Sequence, residues 1–462
     1  MINKVIFGLF FVFLPFLLNA KSIDLGKLGA VADGQTVETE LIQHAIDLVH
    51  QSGGGKVIFP EGKTMVSGTI FLKSNVSLII GNGTTLMASS QIKDYSTNTF
   101  RTNYKEEPHM DRCFIFAEES SNIQISGGGT IDGNGYWKNF NNTVGRPMLL
   151  RIKHCEHIRI NNITFVNPAS WTSAFLYSND IEVSNIRISS RVNNNGDGLD
   201  FDGCKNVRVS NSFFDTSDDC ICLQGSLPEF PVEHITITNC NFTSKWAGIR
   251  IGLLSRSDFS SVTVSNCTFN DISDAGLKIQ MNEGGKMKHM TFSNLTMTNV
   301  PRPIFMTLCR QKAYVDAPEE LPAMGAIEGM NFNNIIVNNE QQDKNSAIFI
   351  TGMPGYKINN LQLSNIQLYF SGGGNAEDSQ KNISEYTPDV LNGWWPEFGL
   401  VGTLPSSVAY FRHINGLYIN NVHAYLSNPD ARKPIQLLDV TNHSMRDVFC
   451  NYQPIDTKEV IK

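Results

Sequence analysis

The chain has 462 residues, of which 37 are glycine and 18% are charged, and its formal net charge at pH 7 is −7. This length alone allows two or three domains, and the glycine content is typical of a turn-rich, all-β protein. The acidic balance and the lack of a basic cluster in the sequence argue against nucleic acid as the main ligand, since binding to phosphates requires a positively charged surface.

The first 20 residues have the pattern of a secretory signal peptide. Lys4 supplies a positive charge, residues 5–18 form a nearly unbroken apolar run, and Ala20 offers a small residue at the expected cleavage site. The run is too short to span a membrane comfortably. We therefore expect an exported protein, periplasmic or extracellular, without a stable membrane span after cleavage. An uncleaved anchor is the alternative.

Residues 21–55 contain one amphipathic helix. Leu41, Ala45, Ile46 and Val49 recur at helical spacing, and three glycines at residues 53–55 end the pattern. An open end of a β-solenoid exposes apolar core and unpaired strand edges. We therefore interpret the segment as a short N-terminal helix that caps the first coil.

A repeat dominates the chain from residue 56 to about residue 370 and returns near the C-terminus. Each copy is an apolar-alternating run, an asparagine and a second alternating run, as in HIRINNITF and VTVSNCTF. Five of the eight intervals between successive asparagines are 23 to 28 residues, and the other three are longer and must contain insertions. Strands of period two at this spacing predict an all-β fold, a single-stranded right-handed parallel β-helix formed by one domain over residues 21–462. The repeated asparagines are Asn162, Asn185, Asn211, Asn239, Asn266, Asn294, Asn334, Asn365 and Asn421.

These asparagines have a structural explanation. Asparagine tolerates a positive φ, which suits a tight bend, and stacked asparagine side chains can form hydrogen bonds from coil to coil. We therefore predict that they form a ladder along the solenoid.

Residues 195–224, NGDGLDFDGCKNVRVSNSFFDTSDDCICLQ, contain the strongest candidate for chemistry. Asp197 and the pair Asp218 and Asp219 are about one coil apart in sequence, so stacking of successive coils brings the three carboxylates together. Carboxylates crowded in this way separate in pKa, which leaves one acid protonated beside ionised partners. Glycoside hydrolysis uses such a pair, an acid for the leaving oxygen and a base for water.

Residues 371–412 interrupt the repeat and are predicted to form a long loop insertion, which in a compact solenoid is usually functional or a cap. Trp394 and Trp395 within it are interpreted either as a platform for sugar or as packing onto the solenoid. The nine cysteines lack metal-ligand spacing. A disulfide between Cys204 and Cys220 is left open, and no metal or cofactor is expected.

The chain resembles glycoside hydrolase family 28, the polygalacturonases and rhamnogalacturonan hydrolases of the pectin lyase-like superfamily. The resemblance runs nearly end to end and includes GAVADG, GGGKVIFPEG, GTIDGNGYW and WWPEFG. The family motif Asn-Thr-Asp-Gly appears as NGDG at residues 195–198, and Asp-Asp-Cys appears at residues 218–220. The resemblance implies an exported, polygalacturonase-like glycoside hydrolase that acts on a pectic polysaccharide or oligosaccharide.

The sequence departs from the family at two motifs. The usual Gly-His-Gly aligns with Trp-Ala-Gly at residues 246–248, so the histidine is missing, and the usual Arg-Ile-Lys aligns with Lys-Ile-Gln at residues 278–280. One of two cations that would bind a uronate carboxylate is therefore absent. Arg250, Lys278 or Arg302 can replace part of that charge. These departures point to a variant substrate, such as rhamnogalacturonan or an oligosaccharide from a pectic side chain.

The hypothesis for the mechanism assigns a role to each aspartate. Asp218 is the general acid, and Asp197 and Asp219 hold and deprotonate the attacking water. The result is inversion, with acid and base roughly 6.5–9.5 Å apart. The predicted substrate-binding residues, which offer charge-assisted or amide hydrogen bonds, are Asn195, Arg250, Lys278, Gln280 and Arg302.

Two alternatives from other classes remain open at this stage. A β-helix polysaccharide lyase would use the acidic cluster to hold Ca²⁺ and Arg250 as a base. A non-catalytic carbohydrate-binding β-helix would bind oligosaccharide without turnover. A monomer is expected, because a solenoid with capped ends needs no partner. The sugar, the linkage and endo or exo action are not predicted.

Overall fold

The computed structural model describes residues 21–99, 108–311 and 322–455. The predicted signal peptide lies outside these residues. Within them, no helix combines the length and the apolar character needed to cross a bilayer.

Strands follow one another along the described residues; those of the first half are short, and those of the second half are up to 23 residues long. The first half contains β1 (Lys21–Asp24), β2 (Asp33–Val37), β3 (Gly55–Ile58), β4 (Thr64–Ser67), β5 (Ile70–Phe71), β6 (Val76–Ile79), β7 (Thr85–Ala88), β8 (Cys113–Glu118), β9 (Ser121–Ser126), β10 (Thr130–Asp132), β11 (Met148–Lys153), β12 (Glu156–Asn161), β13 (Thr164–Val166), β14 (Ser173–Leu176), β15 (Asn179–Ser184), β16 (Arg187–Ser190), β17 (Leu199–Asp202) and β18 (Lys205–Ser210). The second half contains β19 (Phe213–Thr216), β20 (Ile221–Gly225), β21 (Val232–Thr238), β22 (Asn241–Ser244), β23 (Ala247–Ser255), β24 (Phe259–Ile272), β25 (Ala275–Met281), β26 (Lys286–Thr298), β27 (Arg302–Leu308), β28 (Ala326–Asn339), β29 (Ile348–Thr351), β30 (Ile358–Gly372), β31 (Ser406–Asn428), β32 (Lys433–Cys450) and β33 (Gln453–Pro454). The helices are α1 (Thr39–Gln51), α2 (Pro388–Leu391) and the 3-10 turns Ile92–Asp94, Pro108–Met110, Asp378–Gln380 and Phe398–Leu400.

Each strand before β33 pairs in parallel with its equivalents on the neighbouring coils, so these strands form three sheets that run the length of the molecule. The last strand, β33, pairs antiparallel with β32. The first sheet begins β1-β3-β6-β9 and the second β2-β4-β7-β10. The third sheet runs β5-β8-β11-β14-β17-β20-β23-β25-β27-β29-β31-β32. This arrangement confirms the predicted right-handed parallel β-helix.

The core lies inside the coil, where inward side chains from successive coils stack on one another. The rings of Phe175 and Phe201 stack with centroids 4.9 Å apart, and those of Phe292 and Phe332 do so at the same distance. Parallel strands lie ~4.8 Å apart, so identical register positions bring identical side-chain types into contact. The alternating apolar residues of the repeat are therefore the source of one continuous core.

The structure contains the ladder of asparagines that the sequence predicts. All nine repeat asparagines have φ between +52° and +56°. The Asn294 side chain donates a hydrogen bond of 2.9 Å to Asn266 Oδ1, and Asn334 donates one of 2.8 Å to Asn294 Oδ1. The ladder thus fixes the bend between the first two sheets on coil after coil.

Helix α1 covers the N-terminal end of the solenoid, as predicted. Its buried face consists of Ile42, Ala45, Ile46 and Val49. The expected position Leu41 is only half-buried, because the helix is rotated so that its neighbour Ile42 enters the core.

The insertion predicted at residues 371–412 is shorter than expected. Strand β30 continues to Gly372 and β31 begins at Ser406, since the alternating residues at 406–412 extend a strand of the third sheet. The irregular segment between them folds over the outer face of that sheet. Its contribution to a small apolar cluster is Ile383, Tyr386, Leu391, Phe398 and Leu404. The sheet residues beneath it include Phe305, Phe349 and Tyr410.

All nine cysteines are buried and free, so the disulfide considered between Cys204 and Cys220 is not formed. Cys240 and Cys267 lie in the core with the apolar residues of their coils.

Candidate active site

The third sheet places two aspartates at one position on adjacent coils. Asp197 lies two residues before β17, Asp219 lies two residues before β20, and Leu199 pairs in register with Ile221. The amide of Gly198 donates a hydrogen bond of 2.9 Å to the carbonyl of Asp219. The two side chains are therefore stacked by the coil, as the spacing in the sequence predicts.

Asp218 completes a cluster of three carboxylates at the wall of a pocket of about 550 Å³. One oxygen of each aspartate lies within 4.8 Å of the others. These nearest oxygens are closer together than the roughly 6.5–9.5 Å expected between acid and base. Asp197 and Asp219 lie close because adjacent coils are only ~4.8 Å apart. The pocket is lined by Trp171, Asn195, Asp197, Asp218, Asp219, Gln224, Trp246, Arg250, Trp394, Trp395, Glu397, Gly399 and Leu400.

The two neighbouring aspartates differ in their partners. Burial and, next, the negative charge of Asp219 raise the pKa of Asp218 to about 7, against the opposing effect of the Arg250 charge. Burial also raises the pKa of Asp219, but there Arg250 opposes the rise directly through a salt bridge of 3.5 Å. Asp219 Oδ1 is buried and has no hydrogen-bond partner among the described residues. Asp218 is thus an acid that is protonated up to about neutral pH. Asp219 is paired with Arg250 and has one oxygen without a hydrogen bond.

Asn195 lines the same pocket and is held in a left-handed conformation with φ of +49°. Its Oδ1 accepts a hydrogen bond of 2.8 Å from Arg146 Nη2, and Arg146 Nη1 donates one of 2.8 Å to the carbonyl of Asn194. Arg146 is buried. This arginine, which the sequence analysis missed, fixes the turn that leads into Asp197.

Arg250 and Lys278 are neighbours on adjacent strands, since they pair in register between β23 and β25. Arg250 reaches the pocket, where it donates hydrogen bonds of 3.1 and 2.8 Å to Gln280 Oε1 and one of 3.0 Å to Glu397 Oε1. Lys278 is fully buried, donates a hydrogen bond of 2.7 Å to Asp274 and also pairs with Glu397. A single carboxylate from the insertion therefore bridges both cations.

The other predicted binding residues lie behind the pocket wall. Gln280 is fully buried, and its Nε2 donates a hydrogen bond of 3.0 Å to the carbonyl of Pro396. Arg302 donates one of 2.8 Å to Asp274 Oδ1. Asn195 and Arg250 are thus brought to the aspartate cluster, whereas Lys278, Gln280 and Arg302 do not line the pocket.

Comparison with known proteins identifies the family. The model for glycosyl hydrolases family 28 matches residues 68–389. The chain belongs to this family. A probable polygalacturonase of Vitis vinifera is 25% identical over 375 residues, which cover 76% of this chain and 75% of the relative. An exo-poly-alpha-D-galacturonosidase of Dickeya chrysanthemi is 25% identical over 79% of this chain and 70% of its own.

Solved structures share the fold of this family 28 member. The family 28 exopolygalacturonase of Yersinia enterocolitica superposes with a TM-score of 0.66 at 19% identity, covering 95% of this chain and 79% of that one. The exopolygalacturonase of Thermotoga maritima gives a TM-score of 0.64 at 19% identity over 76% of this chain and 88% of that one.

As a member of family 28 the protein is a glycoside hydrolase, and this favours hydrolysis over the lyase alternative. The histidine of the usual motif is replaced by Ala247, whose carbonyl accepts a hydrogen bond of 3.0 Å from the amide of Cys220. Ala247 is fully buried, whereas the preceding Trp246 is partly exposed and lines the pocket. An aromatic ring thus lines the pocket beside the position of the missing imidazole.

Glu397 is a second residue of the site that the sequence analysis missed. The string WWPEFG drew attention for its two tryptophans, but the glutamate beside them is the residue that contacts Arg250, 147 positions earlier in the chain. The signal in the sequence is the set of three cations, Arg250, Lys278 and Arg302, which needs more carboxylate partners than Asp219 and Asp274 supply.

Proposed function

We propose that the protein hydrolyses glycosidic bonds in pectic polysaccharides or oligosaccharides. Family 28 membership and relatives named as polygalacturonase and exo-poly-alpha-D-galacturonosidase support this substrate class. The observation that carries the mechanism is the cluster of Asp197, Asp218 and Asp219, whose nearest oxygens lie within 4.8 Å of one another in the pocket.

Asp218 is the general acid of this proposal. Its pKa of about 7, raised by burial and then by the charge of Asp219, keeps the carboxyl protonated in mildly acidic solution. A protonated carboxyl at the pocket wall can donate to the glycosidic oxygen as the bond to the anomeric carbon breaks. The leaving sugar then departs as a neutral alcohol.

Asp197 and Asp219 hold and deprotonate the attacking water. Both side chains are buried at the wall of the pocket, where their oxygens can accept hydrogen bonds from a water molecule. Attack by water in place of a carboxylate gives inversion at the anomeric carbon. Inversion is part of this proposal although the nearest oxygens of the cluster lie closer together than the carboxyl groups of most inverting pairs.

We further propose that residues 1–20 direct export and that the mature chain, residues 21–462, acts in the periplasm or outside the cell as a monomer. The apolar run at residues 5–18 and the small residue at its end support export. N-terminal sequencing of the protein recovered from a periplasmic extract tests the cleavage site, and light scattering after gel filtration tests the monomer. A start at Met1 or a dimeric mass would contradict these two proposals.

The test of function measures release of reducing sugar from a panel of pectic polymers and oligosaccharides, with and without EDTA. The wild type should be active on one substrate with or without the chelator. Asp218→Asn should lose ~10²- to 10⁴-fold in rate, the usual contribution of a general acid. The control is Asp215→Asn, which removes a half-exposed carboxylate on β19 that pairs with Arg191. Inhibition by EDTA, or full activity in Asp218→Asn, would contradict the proposal.

A further inference from the structure

Glu397 belongs to the insertion, yet its side chain occupies the wall of the aspartate pocket. Its Oε1 accepts a hydrogen bond of 3.0 Å from Arg250, and its Oε2 pairs with Lys278. Two backbone contacts hold this part of the insertion in place. The hydroxyl of Tyr386 donates a hydrogen bond of 2.8 Å to the carbonyl of Glu397, and the Gln280 side chain donates one of 3.0 Å to the carbonyl of Pro396.

The charges around Glu397 balance. The three cations are Arg250, Lys278 and Arg302, and the carboxylates with which they pair are Asp219, Asp274 and Glu397. Without Glu397, Lys278 would keep only its salt bridge with Asp274. Arg250, on the adjacent strand, would keep only its salt bridge of 3.5 Å with Asp219. Charges buried from water require partners of opposite charge. Glu397 therefore supplies the negative charge that a substrate anion would otherwise supply.

A sugar carboxylate brought to this wall would meet Glu397 and Asp219 before it met an unpaired cation. Like charges that are shielded from water repel strongly. An uncharged sugar suits this wall, because its hydroxyl groups can donate hydrogen bonds to an ionised carboxylate, which only accepts them.

The remaining wall is also suited to an uncharged ring. Trp246, Trp394, Trp395 and Leu400 line the pocket near Glu397. The Trp246 ring lies over the Lys278 ammonium group, whose Nζ is 4.4 Å from the ring centroid. The ring therefore shields this cation from the pocket and adds an apolar surface.

We infer that the sugar residue bound against Arg250 and Glu397 carries no carboxylate, and that Glu397 is the residue that sets this specificity. The inference rests on the proposed function, since it names the substrate class of the same pocket. A branched or mixed pectic chain, in which a neutral sugar adjoins the cleaved bond, fits this subsite better than a polymer made only of uronates.

The experiment compares oligogalacturonides with their carboxyl-reduced counterparts of equal length, which carry a hydroxymethyl group in place of each carboxylate. Both kcat/KM and calorimetric binding are measured for the wild type, Glu397→Gln and Glu397→Asp. The wild type should prefer the reduced series. Glu397→Gln should lower that preference about tenfold or more, mainly through KM, because Arg250 becomes available to a substrate carboxylate. Glu397→Asp, which keeps the charge, should retain a preference for the reduced series.

The matched control is Glu385→Gln, another glutamate of the insertion, which pairs with Arg412 and His413. It should leave the preference unchanged. A wild type that prefers the acidic series, or a Glu397→Gln variant with the wild-type ratio, overturns the inference; the first comparison needs no variant to fold. A wild type that binds the reduced series better but cleaves neither overturns the proposed function and supports the specificity.

Discussion

Asp197 and Asp219 stand at the same position on adjacent coils of the β-helix, where the Gly198 amide and the Asp219 carbonyl are joined by a hydrogen bond of 2.9 Å. One turn of the solenoid thus converts a separation along the sequence into a pair of stacked carboxylates. Asp218, beside them, gains a raised pKa from burial and from the charge of Asp219. The chemistry of the site follows from this stacking.

The pH dependence of kcat/KM reports the state of Asp218. A general acid works only while protonated, and the pKa of this carboxyl is raised to about 7, so activity should be present below that pH and fall as the pH rises through it. Because Arg250 lowers this pKa, Arg250→Gln should move the alkaline limb to higher pH. A pH profile on the best substrate checks both statements. Activity that increases from pH 7 to pH 9 would assign the limb to another group.

Trp394 is an exposed aromatic residue that lines the pocket. Its side chain is 71% exposed and lines the pocket, so it contributes little to packing and offers a ring to a sugar. Trp394→Ala should raise KM by up to about tenfold without lowering the melting temperature, since aromatic stacking contributes about 0.5–1.5 kcal/mol.

The control for that prediction is Val390→Ala, an exposed apolar residue of the same insertion that does not line the pocket. It should change neither KM nor melting temperature. A fall in melting temperature with unchanged KM in Trp394→Ala would show that the ring packs the insertion instead of binding sugar.

The insertion also limits where a sugar chain can lie. Beyond Lys278 the outward residues of the third sheet are Phe305, Phe349 and Tyr410, and the insertion buries all three. A long chain therefore cannot continue along this face, and cleavage should occur near a chain end. Early products should be short, and viscosity should fall slowly as reducing ends accumulate. A rapid loss of viscosity with fragments of intermediate size would indicate internal cleavage.

The sequence predicts most of the fold and half of the site for identifiable physical reasons. The alternating strands repeat from coil to coil, and nine successive coils carry the asparagine, so the solenoid follows from a local pattern. The aspartates are about one coil apart, and hence their proximity follows from the same period. The position of Glu397 does not, because it depends on how an irregular segment packs its apolar residues onto Phe305 and Phe349. No period relates that segment to Arg250.

The sequence does not predict the burial of Lys278 and Gln280 for the same reason. Both lie at outward positions of the third sheet, where a sequence pattern predicts exposure to a substrate. The insertion covers them through Pro396 and Glu397, so neither predicted binding residue lines the pocket.

The stereochemistry of hydrolysis tests the central claim most directly. Proton NMR during the first minutes of cleavage identifies the anomer released before it mutarotates. Water held by Asp197 and Asp219, with Asp218 as acid, predicts a product of inverted configuration. A product of retained configuration would mean that one of these carboxylates attacks the sugar itself, and it would contradict the mechanism proposed for the cluster.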